Sequence, residues 1–198
     1  MTPDPDLFRW LAGLAIVATS AVSIYHRRRA DRAGDAISLR AETLPVRILT
    51  RGFGGATWLA VFATILTPGI MAWSTGAPPP ALRWLGAAAV AAGPLLFLCV
   101  FRHLGGNVTS TVVTRRHHTL VTTGPYRWVR HPLYSVGVLF MLGLSALLGS
   151  WLIPVLAIPA MAGLMLRTPA EEAGLVARFG DDYRAYMART GRYLPRWG

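Results

Sequence analysis

The sequence predicts an all-α integral membrane protein with about five transmembrane helices, and three observations carry that prediction. Apolar residues make up 53% of the 198 and the mean hydropathy is +0.42, more apolar surface than a water-soluble domain of this size can bury. The formal charge is nevertheless +11, and the twenty basic residues, all Arg, gather between the apolar runs. The runs are long enough to cross a bilayer core of ~30 Å at ~1.5 Å per helical residue. In a soluble chain this charge would suggest nucleic acid; in loops between spans, topology and anionic headgroups account for it, so no nucleic-acid partner is expected. The one cysteine, Cys99, sits inside an apolar run and leaves no disulfide framework or thiolate metal cluster.

The first span is assigned to residues 7–25 (LFRWLAGLAIVATSAVSIY). Asp4 and Asp6 precede it and Arg27, Arg28 and Arg29 follow, the charge order of an uncleaved helix with its N-terminus outside rather than of a signal peptide. Residues 26–52, with seven Arg, read as a cytoplasmic polar loop. The second span, 53–73, contains Pro68 and Gly69 as a bend, and the uncharged loop 74–82 follows outside. The third, 83–101, is rich in Ala and Gly, which lets helix backbones approach closely. Residues 102–131 return to the cytoplasm with five Arg, four of the five His and a strand-like TSTVVT. An apolar run of 35 residues, 132–166, is too long for one simple span. Gly149, Ser150 and Trp151 divide it into a hairpin of spans 132–148 and 151–166. The tail then carries six Arg, which puts eighteen of the twenty on one membrane side in a single domain of residues 1–198. Within the tail, Thr168, Pro169 and Glu171 form a capping-box pattern that predicts a new helix, offset from the last span. Gly180 then reads as a helix stop, and Asp181 and Asp182 as the start of another short helix.

Function is sought in HTLVTTGPYRWVRHPLYSVG, residues 118–137, where turns, rings, Arg and His crowd the mouth of the hairpin. Ionisable groups at a membrane boundary are usually there to hold something charged. This stretch contains no carboxylate, and the hairpin returns Glu171 to the same face. Simpler roles fit the same residues: Glu171 as a helix cap, Arg167 as its (i, i+4) partner or a headgroup anchor, and the tyrosines as interfacial aromatics. His117 and His118 are adjacent with no nearby Cys or carboxylate, so no metal site is expected.

Taken together, LVTTGPYRWVRHPLY (120–134), the apolar hairpin, Glu171 with Glu172, and FGDDYRAYMARTGRYLP (179–195) resemble the isoprenylcysteine carboxyl methyltransferase family and its bacterial members, relatives of the phospholipid methyltransferases. The resemblance spans residues 104–195 and rests on separated motifs in one order. It implies a membrane enzyme using S-adenosyl-L-methionine without a soluble Rossmann domain, in keeping with the lack of a GxGxxG turn. The cofactor would lie in a cytoplasm-facing C-terminal pocket built from 104–134 and 167–195. Carried over residue by residue, the resemblance assigns His118, Thr119, Leu120, Val121, Tyr126, His131, Pro132, Leu133, Tyr134 and Glu171 to cofactor binding. It makes Arg167 the substrate contact, and Arg167 with Glu171 the catalytic pair. A ligand with a flat base, a ribose, a zwitterion and a sulfonium needs rings, which Tyr126 and Tyr134 supply, an acceptor such as Glu171, and a donor such as His131. The implied acceptor is a lipophilic small molecule or lipid arriving from the bilayer, most simply a carboxylate. The implied location is a bacterial inner membrane, with the N-terminus outside and the C-terminus cytoplasmic. Three further readings stay open: phospholipid N-methyltransferase, an NADPH-dependent membrane reductase of the sterol-reductase type, and a non-catalytic membrane subunit in which the motif is structural.

Overall fold

The computed structural model describes residues 4–32, 36–38, 43–105, 113–115 and 119–196. Helix α1 (Pro5–Arg32) carries Asp6 in its first turn and Arg29 and Arg32 in its last, each matched to the helix dipole. Helix α2 (Leu44–Arg47) runs through a π-helical stretch, Ile48–Phe53, into α3 (Gly54–Leu66). Thr50, Thr57, Thr64 and Thr67 each donate a side-chain hydrogen bond to the carbonyl four residues back, at 2.7–2.9 Å, and so satisfy their hydroxyls within the helix. The short α4 (Pro68–Met71) and a 3-10 turn lead to α5 (Pro80–Leu104). Helices α6 (Pro132–Leu148), α7 (Leu152–Phe179) and α8 (Asp181–Arg189) complete the chain. Strands β1 (Ala36–Ser38) and β2 (Val113–Arg115) pair antiparallel, Ile37 opposite Thr114.

Among the described residues, four helical segments are long and apolar enough to cross a membrane: Asp6–Ala30, Leu44–Leu66, Pro80–Leu104 and Leu152–Phe179. Helix α6, at 17 residues, is shorter. The predicted hairpin is present, with α6 over the expected 132–148. Its turn is made by Gly149 at φ +69°, where a Cβ would meet the Gly76 carbonyl at 2.6 Å. The tip is tied to the 74–76 loop by Gly76 N–H to Gly149 O (2.8 Å) and Trp151 N–H to Ser74 O (3.1 Å), with the Trp73 and Trp151 rings edge to face.

Three expectations are corrected. Residues 26–52 are not one polar loop: α1 continues to Arg32 and helix resumes at Leu44, so the second span starts nine residues before position 53 and ends at Leu66, not at 73. The Pro68 bend is a break, with Thr67 leaving helical geometry. No new helix begins at Thr168, because α7 runs unbroken through Pro159 and Pro169. Thr168 is fully buried and donates to Leu164 O at 2.9 Å instead of capping, which keeps the helix polar groups paired beside the proline.

The core forms where α5 and α6 meet α1 and the start of α7, around Phe8, Val61, Val90, Phe140, Leu144, Leu147 and Ile153. Glycines set how near α5 and α6 lie. A Cβ on Gly86 would meet Leu147 N at 2.7 Å and Gly143 O at 2.8 Å, and one on Gly93 would overlap the Phe140 ring. The outward faces stay apolar, with Trp10, Leu14, Leu59, Leu66, Leu85, Leu95, Ile158 and Leu166 exposed, a surface suited to lipid and not to water. Gly86→Ala is therefore expected to lower stability by about 1–3 kcal/mol, since two backbones must separate. Gly13→Ala, which faces open space, leaves stability unchanged or raises it; thermal unfolding in micelles compares the two.

Candidate functional site

Lengths and caps decide what meets at the hairpin mouth. Helix α6 opens with His131 at its N-cap and Pro132 in its first turn, a position where the missing N–H costs nothing. Before it, Gly124–Arg127 makes a 3-10 turn, with Gly124 at φ +59° and the His103 ring where a Cβ would lie, so the position favours glycine on both counts. Residues 128–131 lie beside the tail in a short parallel pairing. Arg130 N–H donates to Gly191 O (2.9 Å), His131 N–H to Arg192 O (3.0 Å) and Gly191 N–H to Trp128 O (3.2 Å).

At this mouth α7 presents two adjacent carboxylates. Glu171 is paired with Arg167 one turn back (Nε to Oε1, 2.7 Å). The Tyr134 hydroxyl donates to the Glu171 carboxylate, 3.2 and 3.1 Å from its two oxygens, and accepts from Arg167 Nη2 at 3.0 Å. The His131 ring stacks on the Tyr134 ring with centroids 5.4 Å apart, its Nδ1 3.9 Å from Glu171. Its Nε2 faces the other way, 3.4 Å from Glu172, so the imidazole stands between the two carboxylates.

Glu172 is 3% exposed and accepts from Arg130 Nε at 2.9 Å and Arg192 Nη2 at 2.6 Å. Its hydrogen bond raises the pKa of Arg192 above the ordinary arginine value. Arg130 also donates to the carbonyls of Met187 and Thr190, which caps the end of α8. Tyr193 lies against both rings of the mouth, 5.9 Å from His131 and 6.3 Å from Tyr134, and donates to Thr168 Oγ1 at 2.9 Å.

Of the residues the sequence singled out, the structure brings together His131, Tyr134, Arg167 and Glu171. Tyr126 is buried below them, and its carbonyl accepts from the Tyr186 hydroxyl at 2.6 Å. Pro132 is buried and Leu133 packs on the Ala30 and Phe101 cluster, on the side of α6 toward α1 and α5. Thr119 is exposed and Leu120 and Val121 half-buried on the approach to the turn. His118 lies outside the described residues. Sequence reasoning missed Arg130, Glu172, Arg192 and Tyr193; the doubled Glu was the available signal for one of them.

The comparisons with known proteins fall on this same part of the chain. Residues 84–177 match the model of the isoprenylcysteine carboxyl methyltransferase family, covering α5, α6 and nearly all of α7. Just under half of the chain is thus similar to the isoprenylcysteine carboxyl methyltransferase family. It is 33% identical over 110 residues to a protein-S-isoprenylcysteine O-methyltransferase of Schizosaccharomyces pombe, covering 50% of this chain and 47% of that protein. Over 85 residues it is 38% identical to the cobalt-zinc-cadmium resistance protein CzcN of Cupriavidus metallidurans, covering 41% and 38%. A solved structure of the eukaryotic intramembrane Ras methyltransferase of this family superposes with a TM-score of 0.52 at 26% identity, over 73% of this chain and 51% of the other. The chain spans about half the length of these relatives or less. With that fold and its apolar helices, the protein is an integral membrane protein, whose regular structure among the described residues is helical apart from one short ribbon.

Below the mouth, burial pushes the hydroxyl pKa of Tyr183 and Tyr126 up, with Glu172 adding to the effect at Tyr183 and Tyr186 at Tyr126. Tyr186 is pushed up from 10.0 to about 12 by burial, against the opposing pull of Arg130 and Arg189. The unfolded chain gives up this proton near pH 10 while the folded chain holds it to about pH 12, so stability falls as pH rises across that interval. Unfolding in micelles across this range is expected to show the loss, and Tyr186→Phe to reduce it, the remainder coming from Tyr126 and Tyr183.

Proposed function

We propose that the chain transfers a methyl group from S-adenosyl-L-methionine to a lipophilic acceptor, a carboxylate of the isoprenylcysteine type, at the cytoplasmic face of its membrane. The observation that carries this reading is the Arg167, Tyr134 and Glu171 cluster at the mouth of an apolar hairpin. A carboxylate acceptor is ionised at neutral pH and needs no general base. The site therefore has to hold charge in place, and the cluster is built for that. The residues fit the cofactor: Glu171 is an acceptor for amino or ribose hydroxyl groups, and the stacked His131 and Tyr134 offer ring faces. When bound, S-adenosyl-L-methionine supplies an electrophilic methyl on a sulfonium.

The chain's own residues do the rest. Arg167 neutralises and orients the acceptor carboxylate, and Tyr134, bonded to both Arg167 and Glu171, fixes the two relative to each other. The residues packed over the mouth exclude water, which strengthens each of these interactions. The Arg-rich ends of the spans support an N-terminus outside and a cytoplasmic C-terminus. On this reading α6, about 26 Å long from its 17 residues, is a fifth, short span, and the whole chain is one methyltransferase domain.

The purified protein is expected to bind S-adenosylhomocysteine and not NADPH; the reverse would replace this reading with the reductase one. Labelled methyl should leave the product under mild base, as an ester does and an N-methyl group does not. Tyr134→Phe should lower kcat/KM about tenfold, the effect of losing about 1.4 kcal/mol of positioning, with the fold intact by circular dichroism.

A further inference from the structure

Glu172 shares a sequence neighbourhood with Glu171 and almost nothing else. It turns away from Arg167 and Tyr134 and is nearly sealed from solvent, at 3% exposure. Its oxygens are taken by Arg130, from the approach to α6, and Arg192, from the chain after α8. A carboxylate this buried is tolerated only when paired and hydrogen-bonded, and here its two cations come from separate segments that must lie side by side. Those segments share three backbone hydrogen bonds, at Arg130, His131 and Gly191, too few for a strand pairing to persist alone. Ser135 Oγ donates to Tyr193 O at 2.5 Å and Tyr193 donates to Thr168, so the chain held by Glu172 ends with a ring against His131 and Tyr134. Arg192 and Tyr193 lie beyond the residues matched to the family model, 84–177.

We propose that Glu172 is a positioning residue: through Arg130 and Arg192 it clamps residues 190–193 across the hairpin mouth, so that Tyr193 forms one wall of the site beside Glu171. Glu171 faces ligand, while Glu172 holds the wall. The clamp explains why a membrane helix carries two adjacent carboxylates where one would serve the ligand. Without the Glu172 charge, Arg192, whose side chain is already 42% exposed, has no reason to stay inward. The segment then keeps its backbone pairing and the bonds of Arg130 to Thr190 O, Ser135 to Tyr193 O and Tyr193 to Thr168, and loses the two ion pairs that seal it.

This inference rests on the methyltransferase reading, and the experiment has two halves so that each can fail alone. In ligand-free, full-length Glu172→Gln, hydrogen exchange at the Arg130, His131 and Gly191 amides should rise about tenfold or more, with α5 amides unchanged. In turnover, KM for S-adenosyl-L-methionine should rise about tenfold while kcat stays within about threefold, and Glu172→Asp should recover part of the loss. A role confined to overall stability would leave KM alone in the folded protein. Unchanged exchange at those three amides overturns the clamp, and so does a collapse of kcat at constant KM, which would make Glu172 a participant in the chemistry. If Glu172→Gln does not fold, Arg192→Gln is put through both measurements with the same criteria. Should the intact protein bind no S-adenosylhomocysteine, the methyltransferase reading fails and the exchange half still decides the clamp.

Discussion

The hairpin formed by α6 and α7 imposes the constraint on which the site depends. The two helices share a tip at Gly149, Ser150 and Trp151, and both rise by the same amount per residue. Helix α6 has 17 residues, so α7 must return about as many before it draws level with the base of α6, which brings it to Thr168. The next turn of α7 carries Glu171 and Glu172, and it faces His131 and Tyr134. Had α7 stopped at Pro169 and restarted at an angle, this register would be lost. The continuity of that helix is what makes two distant sequence motifs one site.

Adjacent residues on a helix point about 100° apart, and here that angle separates two environments. Glu171 looks along α7 to Arg167 and across to Tyr134, in a partly open mouth. Glu172 looks into protein, toward Arg130 and Arg192. His131 stands between the two environments, one ring nitrogen 3.9 Å from Glu171 and the other 3.4 Å from Glu172. The stacked Tyr134 ring restrains that imidazole.

Much of this was legible in the sequence where the deciding physics is local. The hairpin turn, the bounds of α6, the stop at Gly180 and the (i, i+4) pair Arg167 and Glu171 follow from glycine, proline and helical spacing. Local rules failed at Thr168, where a sound capping pattern was overridden because burial and neighbouring helices recover the bonds a proline removes. They also gave too much loop between α1 and α3, since Arg at helix ends is compatible with helix and reads as polar only by composition. Arg130 and Arg192 were invisible as partners of Glu172 because those contacts join residues 42 and 20 positions apart. No periodicity encodes such pairings.

The tip of the hairpin is pinned to the loop after α4 by backbone bonds at Gly76 and Ser74 and by the Trp73 and Trp151 rings, all at the end far from the carboxylates. At the other end the Tyr134 hydroxyl bridges to Glu171 and Arg167, so the two helices are fastened at both ends like the rails of a ladder. The gap at the mouth is then set by its rungs, the side-chain bonds between the rails, and not by the freedom of either helix.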